Sequence, residues 1–312
     1  MPDLKARHTA VVKKTALELG FQCCGISKAE YLEEEAPRLA DWLKKGYQGS
    51  MGYLENHFDK RLDPTKLVPG AKSVISFLYN YNTSQQLDPH SFKVAKYAFG
   101  DDYHKVIKDK LFEFLDILRT EIGDIKGRVF VDSGPVMERA WAEKSGLGWI
   151  GKHGLLITKE QGSFMFIAEL ILDIDLDADQ PFAKDYCGTC NACVEACPTA
   201  AILPNKTLYA SRCISYLTIE LKEAIPDEFK NNMNGWIYGC DICQDVCPWN
   251  RFGKPNNEPK FQVNEKLPSF TKEDWREITE DIFQDLFKDS PITRAGFKGL
   301  KRNIDFVTES ES

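Results

Sequence analysis

The chain has 312 residues, 43% hydrophobic and 28% charged, which is enough for two domains at ~150 residues each. Those proportions exclude a disordered chain, a collagen-like repeat and a coiled coil. Forty basic against 47 acidic residues leave a net charge of -7, so any contact with nucleic acid needs a local basic patch rather than the overall field.

In chain order, residues 4–19 predict an amphipathic helix ended by Gly20, then a short apolar strand, FQCCGI. Cys23 and Cys24 in that strand read as small buried side chains. A second helix is expected from Glu33 to Lys45, and VISFLYNY at 74–81 reads as a buried strand. Val106, Ile107, Leu111, Leu115, Leu118 and Ile122 fall on one helix face over 103–122. RVFVD at 128–132 predicts a strand running into the turn SGP, followed by a helix over 136–145 and strands at 154–158 and 164–174. Strands alternating with helices up to about residue 175 indicate an α/β domain. No stretch approaches ~18 consecutive apolar residues, and residues 1–20 are charged throughout rather than signal-like. A cytoplasmic protein without membrane contact is expected.

The composition changes near Asp173. Eight of the ten cysteines lie between Cys187 and Cys247. Cys187, Cys190, Cys193 and Cys197, followed by Pro198, spell C-x-x-C-x-x-C-x-x-x-C-P. In that ferredoxin run the first three thiolates hold one [4Fe-4S] cluster and the fourth reaches a second. Cys240, Cys243 and Cys247 with Pro248 repeat its last three positions, and Cys213 is the one candidate nearby for the missing ligand. One cluster then takes Cys187, Cys190, Cys193 and Cys247, and the other takes Cys197, Cys213, Cys240 and Cys243. Structural zinc also uses paired C-x-x-C, but it explains neither the third cysteine at the same spacing nor the two Cys-Pro dipeptides. Three segments result: a catalytic domain over 1–175, a ferredoxin-like domain over 176–253, and a linker with a helical tail over 254–312.

Weaker signals lie in the first segment. GLGWIGKH at 146–153 imitates two phosphate-binding motifs, yet a helix precedes it and a strand follows, the reverse of what both require. Its glycines still suit close approach of a ligand, with Lys152 and His153 at hand. His104 is a lone histidine at a helix start and reads as structural. Asp102 and His104 begin D-x-H-x-x-G, the signature that supplies a histidine to cobalt, but Ile107 stands where glycine is required. Asp132, at a strand end before a tight turn, is a candidate acid aimed into a cleft.

The runs VDSGPVMERAWAEKSGLGWIGKHGLLI, CGTCNACVEACPTAAI, RCISYLTIELKEAIP and YGCDICQDVCPWNR closely resemble the epoxyqueuosine reductase family. YAFGDDYHKV and RLDPTKLVPGAKSVISF extend the resemblance over most of residues 5–304. It implies an α/β (α+β) cobalamin-binding domain related to reductive dehalogenases, with a ferredoxin-like bis-[4Fe-4S] domain. It also implies reduction of epoxyqueuosine to queuosine at the tRNA wobble position, the last step of queuosine biosynthesis. Electrons pass through the two clusters to base-off cobalamin, with no protein ligand to the cobalt. Asp132 is then the proton donor, and that role requires its pKa to be raised by burial or by the flat corrin. Arg61, Asp132, Arg139, Lys152, His153 and Thr158 are the implied cofactor-binding residues.

The implied partners are the anticodon loop of epoxyqueuosine-bearing tRNA and an external low-potential electron donor, with the chain a monomer. The helical repeat that many members carry at the C-terminus has no counterpart before Ser312. Arg294, Lys298, Lys301 and Arg302 are the candidate phosphate patch, and Trp249, Asn250 and Arg251 could also touch RNA. A cobalamin-dependent reductive dehalogenase is the alternative among enzymes. A ferredoxin-like electron carrier is the alternative outside them, and it would need no 175-residue domain in front.

Overall fold

The structure is a computed structural model describing residues 3–310. Helix α1 (Leu4–Glu18), capped by Asp3, leads into β1 (Cys23–Lys28). Helices α2 (Glu35–Lys44) and α3 (Phe58–Leu62) precede β2 (Ser73–Asn80), and a short β3 (Lys93–Val94) follows. Helix α4 (Tyr103–Ile122) starts at the Asp102 cap and stops at Gly123, matching the periodic stretch read from the sequence. Then come β4 (Gly127–Phe130), α5 (Glu138–Lys144), the hairpin β5 (Trp149–Ile150) and β6 (Leu156–Ile157), and β7 (Met165–Leu172).

The main sheet has the order β1-β2-β7-β4, and all three pairings are antiparallel. The helix–strand alternation therefore resolves to the α+β form, without the parallel crossovers of a doubly wound sheet. Strands β2 and β7 are apolar along nearly their whole length because both sheet faces are covered. On one face Ile75, Phe77, Ala168 and Leu170 pack against α1 and α4. On the other, Val74, Leu78, Met165 and Ile171 meet Trp141 and Ala142 of α5. That helix approaches so closely that a Cβ on Gly25 would lie 2.2 Å from the Ser145 carbonyl oxygen.

The cysteine-rich segment contains α6 (Ala192–Ala196), α7 (Ile214–Ile219), β8 (Trp236–Tyr238) and α8 (Ile242–Asp245). Helices α6 and α8, each within one cysteine run, pack on each other. The tail adds α9 (Lys272–Arg276), α10 (Glu280–Phe287) and α11 (Gly296–Glu309).

Residue 254 does not separate cores. Trp275, Phe283, Leu300 and Ile304 of the tail form one core with Ile214, Leu217, Trp236 and Ile237, and with Phe92, Val94 and Phe99 from the first segment. Strand β3 pairs in parallel with β8 to bring that early piece in. The amide of Asn303, 0% exposed, donates to Thr218 O at 2.8 Å and Ile237 O at 2.9 Å, tying α11 to α7 and β8. Nor is the turn-rich stretch after Gly253 a free linker. Asn256 N donates to Asn82 O at 2.7 Å, Tyr79 Oη donates to Glu258 at 2.5 Å, and Phe261 enters the α4 core.

Candidate active site

Two adjoining regions bring the chemically competent side chains together. The first is built where β4 ends and α4 begins. Asp132 has a left-handed φ of 54°, a conformation that Asp tolerates better than most residues. Tyr103 Oη donates to Asp132 Oδ2 at 2.8 Å, and His104 Nε2 lies 3.2 Å from the same oxygen. His104 Nδ1 is 2.7 Å from Asp102 Oδ1, the carboxylate that also caps α4 through the His104 N–H. The Tyr103 ring is held between His104, with centroids 4.1 Å apart, and Phe166, at 4.2 Å. His104 and Tyr103 contact Asp132 from one side, and its side chain is otherwise open to solvent, 61% exposed.

The charges follow from this geometry. Burial disfavours the imidazolium of His104, but hydrogen bonds to Asp102 and Asp132 outweigh it and take the pKa up to about 9. Burial works to raise the Asp132 carboxyl, but the bonds from His104 and Tyr103 hold it below the ordinary range. This corrects the expectation of a raised pKa: Asp132 is the anion and the proton resides on His104. The correction also changes the reading of His104, which is structural as a cap neighbour and titratable as a partner of Asp132.

Behind Asp132, its backbone N–H donates to Glu138 Oε1 at 2.5 Å. Beside Glu138, the exposed Arg139 donates to the Gly154 carbonyl. His153, 4% exposed, accepts from Leu155 N through Nδ1 at 3.1 Å, while its Nε2 has no partner. Burial, helped by Arg139, lowers its pKa to about 4, so the ring is neutral and Nε2 carries the hydrogen. His153 therefore offers a donor inside the protein, on the cavity it shares with Cys187, Cys190, Cys193 and Cys247, while Arg139 is exposed.

Arg294 of the tail pairs with both carboxylate oxygens of Glu220, at 3.2 and 3.0 Å, and stands over the Tyr53 ring. Its charge is among those that stabilise the Asp132 anion. Arg61 stands one step back, donating to Tyr53 O at 3.0 Å and Asn56 O at 3.2 Å.

Other sequence candidates fall elsewhere. The Thr158 hydroxyl accepts from Gln161 N at 3.0 Å and closes the 158–162 turn. Asn250 is taken up by Ser163 and Gln244, with bonds of 2.6 to 3.3 Å. Trp249 packs into an aromatic cluster with Trp149, Tyr186 and Phe252. In the tail, Arg302 donates to Leu217 O, Leu221 O and Glu223 O, and Lys301 to Arg276 O. Of the four tail cations, Lys298 is the one without a recorded hydrogen bond or ion pair among the described residues. A cavity of about 570 Å³ lies between α11 and residues 224–230, and neither Asp132 nor any cysteine lines it.

The second region is the cysteine module. Cys187, Cys190, Cys193 and Cys247 line one cavity together with Lys152 and His153. Lys152 Nζ is held by Gly188 O, Cys190 O and Asn191 Oδ1 at 2.8 to 2.9 Å, so it secures this cysteine loop. Burial raises the Cys240 and Cys243 thiols, and Cys213 is the next thiol felt by both; Cys197 also acts on Cys213 and Cys240. Cys187, Cys190, Cys193 and Cys247 thus share one cavity, and Cys213 lies near both Cys240 and Cys243. Among the described residues no three metal-ligating side chains converge as they would on a single ion. A cube holds its four thiolates at separate corners, a looser arrangement than a zinc tetrahedron. Ala201 N donates to Cys197 Sγ at 3.3 Å, the kind of bond that tunes a cluster's potential.

The family described as 4Fe-4S double cluster binding domain matches residues 186–250, and that described as epoxyqueuosine reductase QueG, DUF1730, matches residues 61–133. The chain is 58% identical over 308 residues to an epoxyqueuosine reductase of Cyclobacterium marinum, covering 98% of each protein. It is 41% identical over 299 residues to that of Escherichia coli, covering 94% of this chain and 78% of the relative. A solved epoxyqueuosine reductase with an epoxyqueuosine-modified tRNA-Tyr stem loop superposes with a TM-score of 0.90 at 30% identity, over 96% of this chain and 80% of that one. The Bacillus subtilis enzyme, solved with its catalytic aspartate loop swung out of the active site, gives 0.88 at 29% identity, over 96% and 81%.

Proposed function

This chain belongs to the epoxyqueuosine reductase family, and we propose on that premise which of its residues carry the reduction of epoxyqueuosine in tRNA. Cys187, Cys190, Cys193 and Cys247 hold one [4Fe-4S] cluster; Cys197, Cys213, Cys240 and Cys243 hold the other. They relay single electrons from an external low-potential donor. Cobalamin, when bound, would supply the reductive cleavage of the C–O bond. Its fit rests on the exposed Asp132 carboxylate and on the orphaned His153 Nε2, a donor suited to a ligand edged with amides, at the cavity lined by Cys187, Cys190, Cys193 and Cys247.

Asp132 protonates the departing oxygen, and His104 holds the proton it uses. Asp102 keeps the imidazolium oriented through Nδ1. Arg139 and His153 bind the cofactor's edge, with Arg61 and Thr158 supporting loops nearby and Lys152 acting on the cluster side. Residues 1–175 carry catalysis, 176–253 the clusters, and the tail lends Arg294 to the side where tRNA enters. No helix of the described residues is long and apolar enough to cross a membrane. A cytoplasmic monomer acting on the anticodon loop is the simplest setting.

The observation that carries this reading is the charged chain Asp102–His104–Asp132, open to solvent at Asp132, in a protein with a double-cluster module over residues 186–250. The test is anaerobic turnover of an epoxyqueuosine-bearing anticodon stem-loop with reconstituted clusters, cobalamin and a strong reductant, read by mass spectrometry of the nucleosides. Loss of one oxygen that depends on cobalamin supports the proposal. An unchanged nucleoside with full clusters and bound cobalamin overturns it.

A further inference from the structure

We propose that Glu138 and Glu169 form a carboxyl pair sharing one proton, and that this pair is the positioning device holding Asp132 in place. The proposal rests on the reading of Asp132 as the acid of the reaction.

Glu169 is the charged residue in MFIAELIL, the sequence of β7, and sits opposite Phe130 in the register with β4. It is 0% exposed, and neither of its carboxylate oxygens has a hydrogen-bond donor. An isolated buried carboxylate costs too much to persist in that state. The group facing it is the Glu138 carboxyl, at the start of α5 on the same side of the sheet. Two carboxyls meeting without a donor are satisfied when one proton lies between them.

Glu138 has a second duty. Its Oε1 accepts the backbone N–H of Asp132 at 2.5 Å, at the residue whose φ of 54° is left-handed. Such a backbone is strained and persists where surrounding contacts over-determine it. The next turns, Ser133 N to Val131 O at 2.6 Å and Val136 N to Gly134 O at 2.9 Å, are local and fix nothing outside the loop. The bond to Glu138 is thus the recorded anchor of the Asp132 backbone to α5. Through Glu169 the anchor reaches the central strand of the sheet.

The groups facing Glu138 are Asp132 on the loop, Arg139 on its own helix, His104 on α4 and Glu169 on β7. Burial first, then the Asp132 charge, raises the Glu138 pKa to about 8. Below that pH a proton lies between the two carboxyls and the loop stays seated. Above it, two anions stand beside the Asp132 anion, and repulsion drives the loop outward. The raised value also fixes the stability effect: the pair's contribution is complete below the ordinary Glu value of 4.5 and is lost as pH rises through about 8.

The test uses Glu138→Ala, Glu138→Gln and Glu169→Gln, each reconstituted with clusters and cobalamin. Amide hydrogen exchange of residues 131–137 is read alongside kcat and KM for the stem-loop. Glu138→Ala is expected to lower kcat about 10–100-fold, with KM and cobalamin affinity within about twofold, and to speed loop exchange about tenfold. Glu138→Gln keeps the acceptor and gives the partner a donor, so kcat recovers to within about threefold near pH 7. Glu169→Gln removes the shared proton, so loop exchange loses its excess pH dependence between about pH 7 and 8.5.

Wild-type loop exchange in Glu138→Ala, or a wild-type pH dependence in Glu169→Gln, would overturn the proposal. Failure of the underlying reading looks different: Asp132→Asn would then turn over at the wild-type rate. The exchange measurement would still report on the anchor.

Discussion

Replacing His104 by Asn removes the proton from the Asp132 site while leaving a side chain able to hydrogen-bond. In the native site the pair titrates as a unit near the value of about 9 reached by His104, so the acid is loaded throughout the neutral range. Without the imidazole, the Asp132 carboxyl must hold its own proton. An ordinary Asp, with a pKa of ~3.9, is protonated in a few molecules per ten thousand at about pH 7.5. Burial pushes the carboxyl upward from there, so the expected loss is about two to four orders of magnitude, the range general-acid catalysis supplies. Single-turnover deoxygenation of the stem-loop, with clusters and cobalamin pre-reduced, isolates this step from electron delivery. The diagnostic is the slope. The His104→Asn rate should rise about tenfold for each unit of pH lowered between about 7.5 and 6, where the wild-type rate is flat.

Stability moves in a definite direction too. A histidine with a raised pKa contributes stability that is complete below 6.5 and is lost as pH rises through about 9. At ~1.4 kcal/mol per pH unit the interval amounts to about 3 kcal/mol, and solvent at the exposed Asp132 reduces it to about 1–2. A His104→Asn enzyme within about threefold of wild type at pH 7.5, with a flat profile below, would refute the assignment of the proton to His104.

Asp132→Asn should retain cobalamin binding and lose turnover by at least about 100-fold, measured by the same assay with a spectroscopic binding titration. Cys213→Ser should about halve the iron content and remove the signal of one cluster, because Cys213 completes the set that the contiguous run leaves short. Cys23→Ser, in the strand β1, should leave iron content unchanged. Arg302→Ala should lower Tm by several degrees, corresponding to about 2–4 kcal/mol, because three carbonyls lose a charged donor. Lys298→Ala should leave Tm unchanged; if α11 meets RNA, it reduces the salt dependence of stem-loop binding by about one phosphate contact, and Arg302→Ala does not.

The double-cluster module over residues 186–250 was legible because cluster ligation imposes spacing within a few residues and Cys-Pro marks both runs. Helix α4 was legible because a long, capped, periodic segment is dictated locally. What escaped the sequence is set by contacts distant in the chain. His104 and Asp132 are 28 residues apart, and their pairing depends on how α4 crosses the end of β4. The direction of the Asp132 pKa shift depends on His104 and Tyr103 and cannot be read from VDSGP alone.

Glu169 did leave a trace, one acid within an otherwise apolar buried strand, but its partner belongs to another element. In the tail, Arg302 and Lys301 donate to carbonyls that the sequence does not place beside them. Antiparallel pairing of the sheet likewise follows from long-range packing rather than from the alternation of elements.

The shared core of residues 92–99, β8 and the tail also sets a timetable for synthesis. Phe92, Val94 and Phe99 emerge from the ribosome long before Leu300 and Ile304, which complete their covering. At about 5–20 residues per second the wait for some 200 further residues is about 10–40 s. Throughout that interval an apolar stretch leading directly into α4 and the future proton site lacks its final packing partners. The nascent chain can close the main sheet early, but residues 92–99 and the cluster module gain their full packing only when α11 arrives.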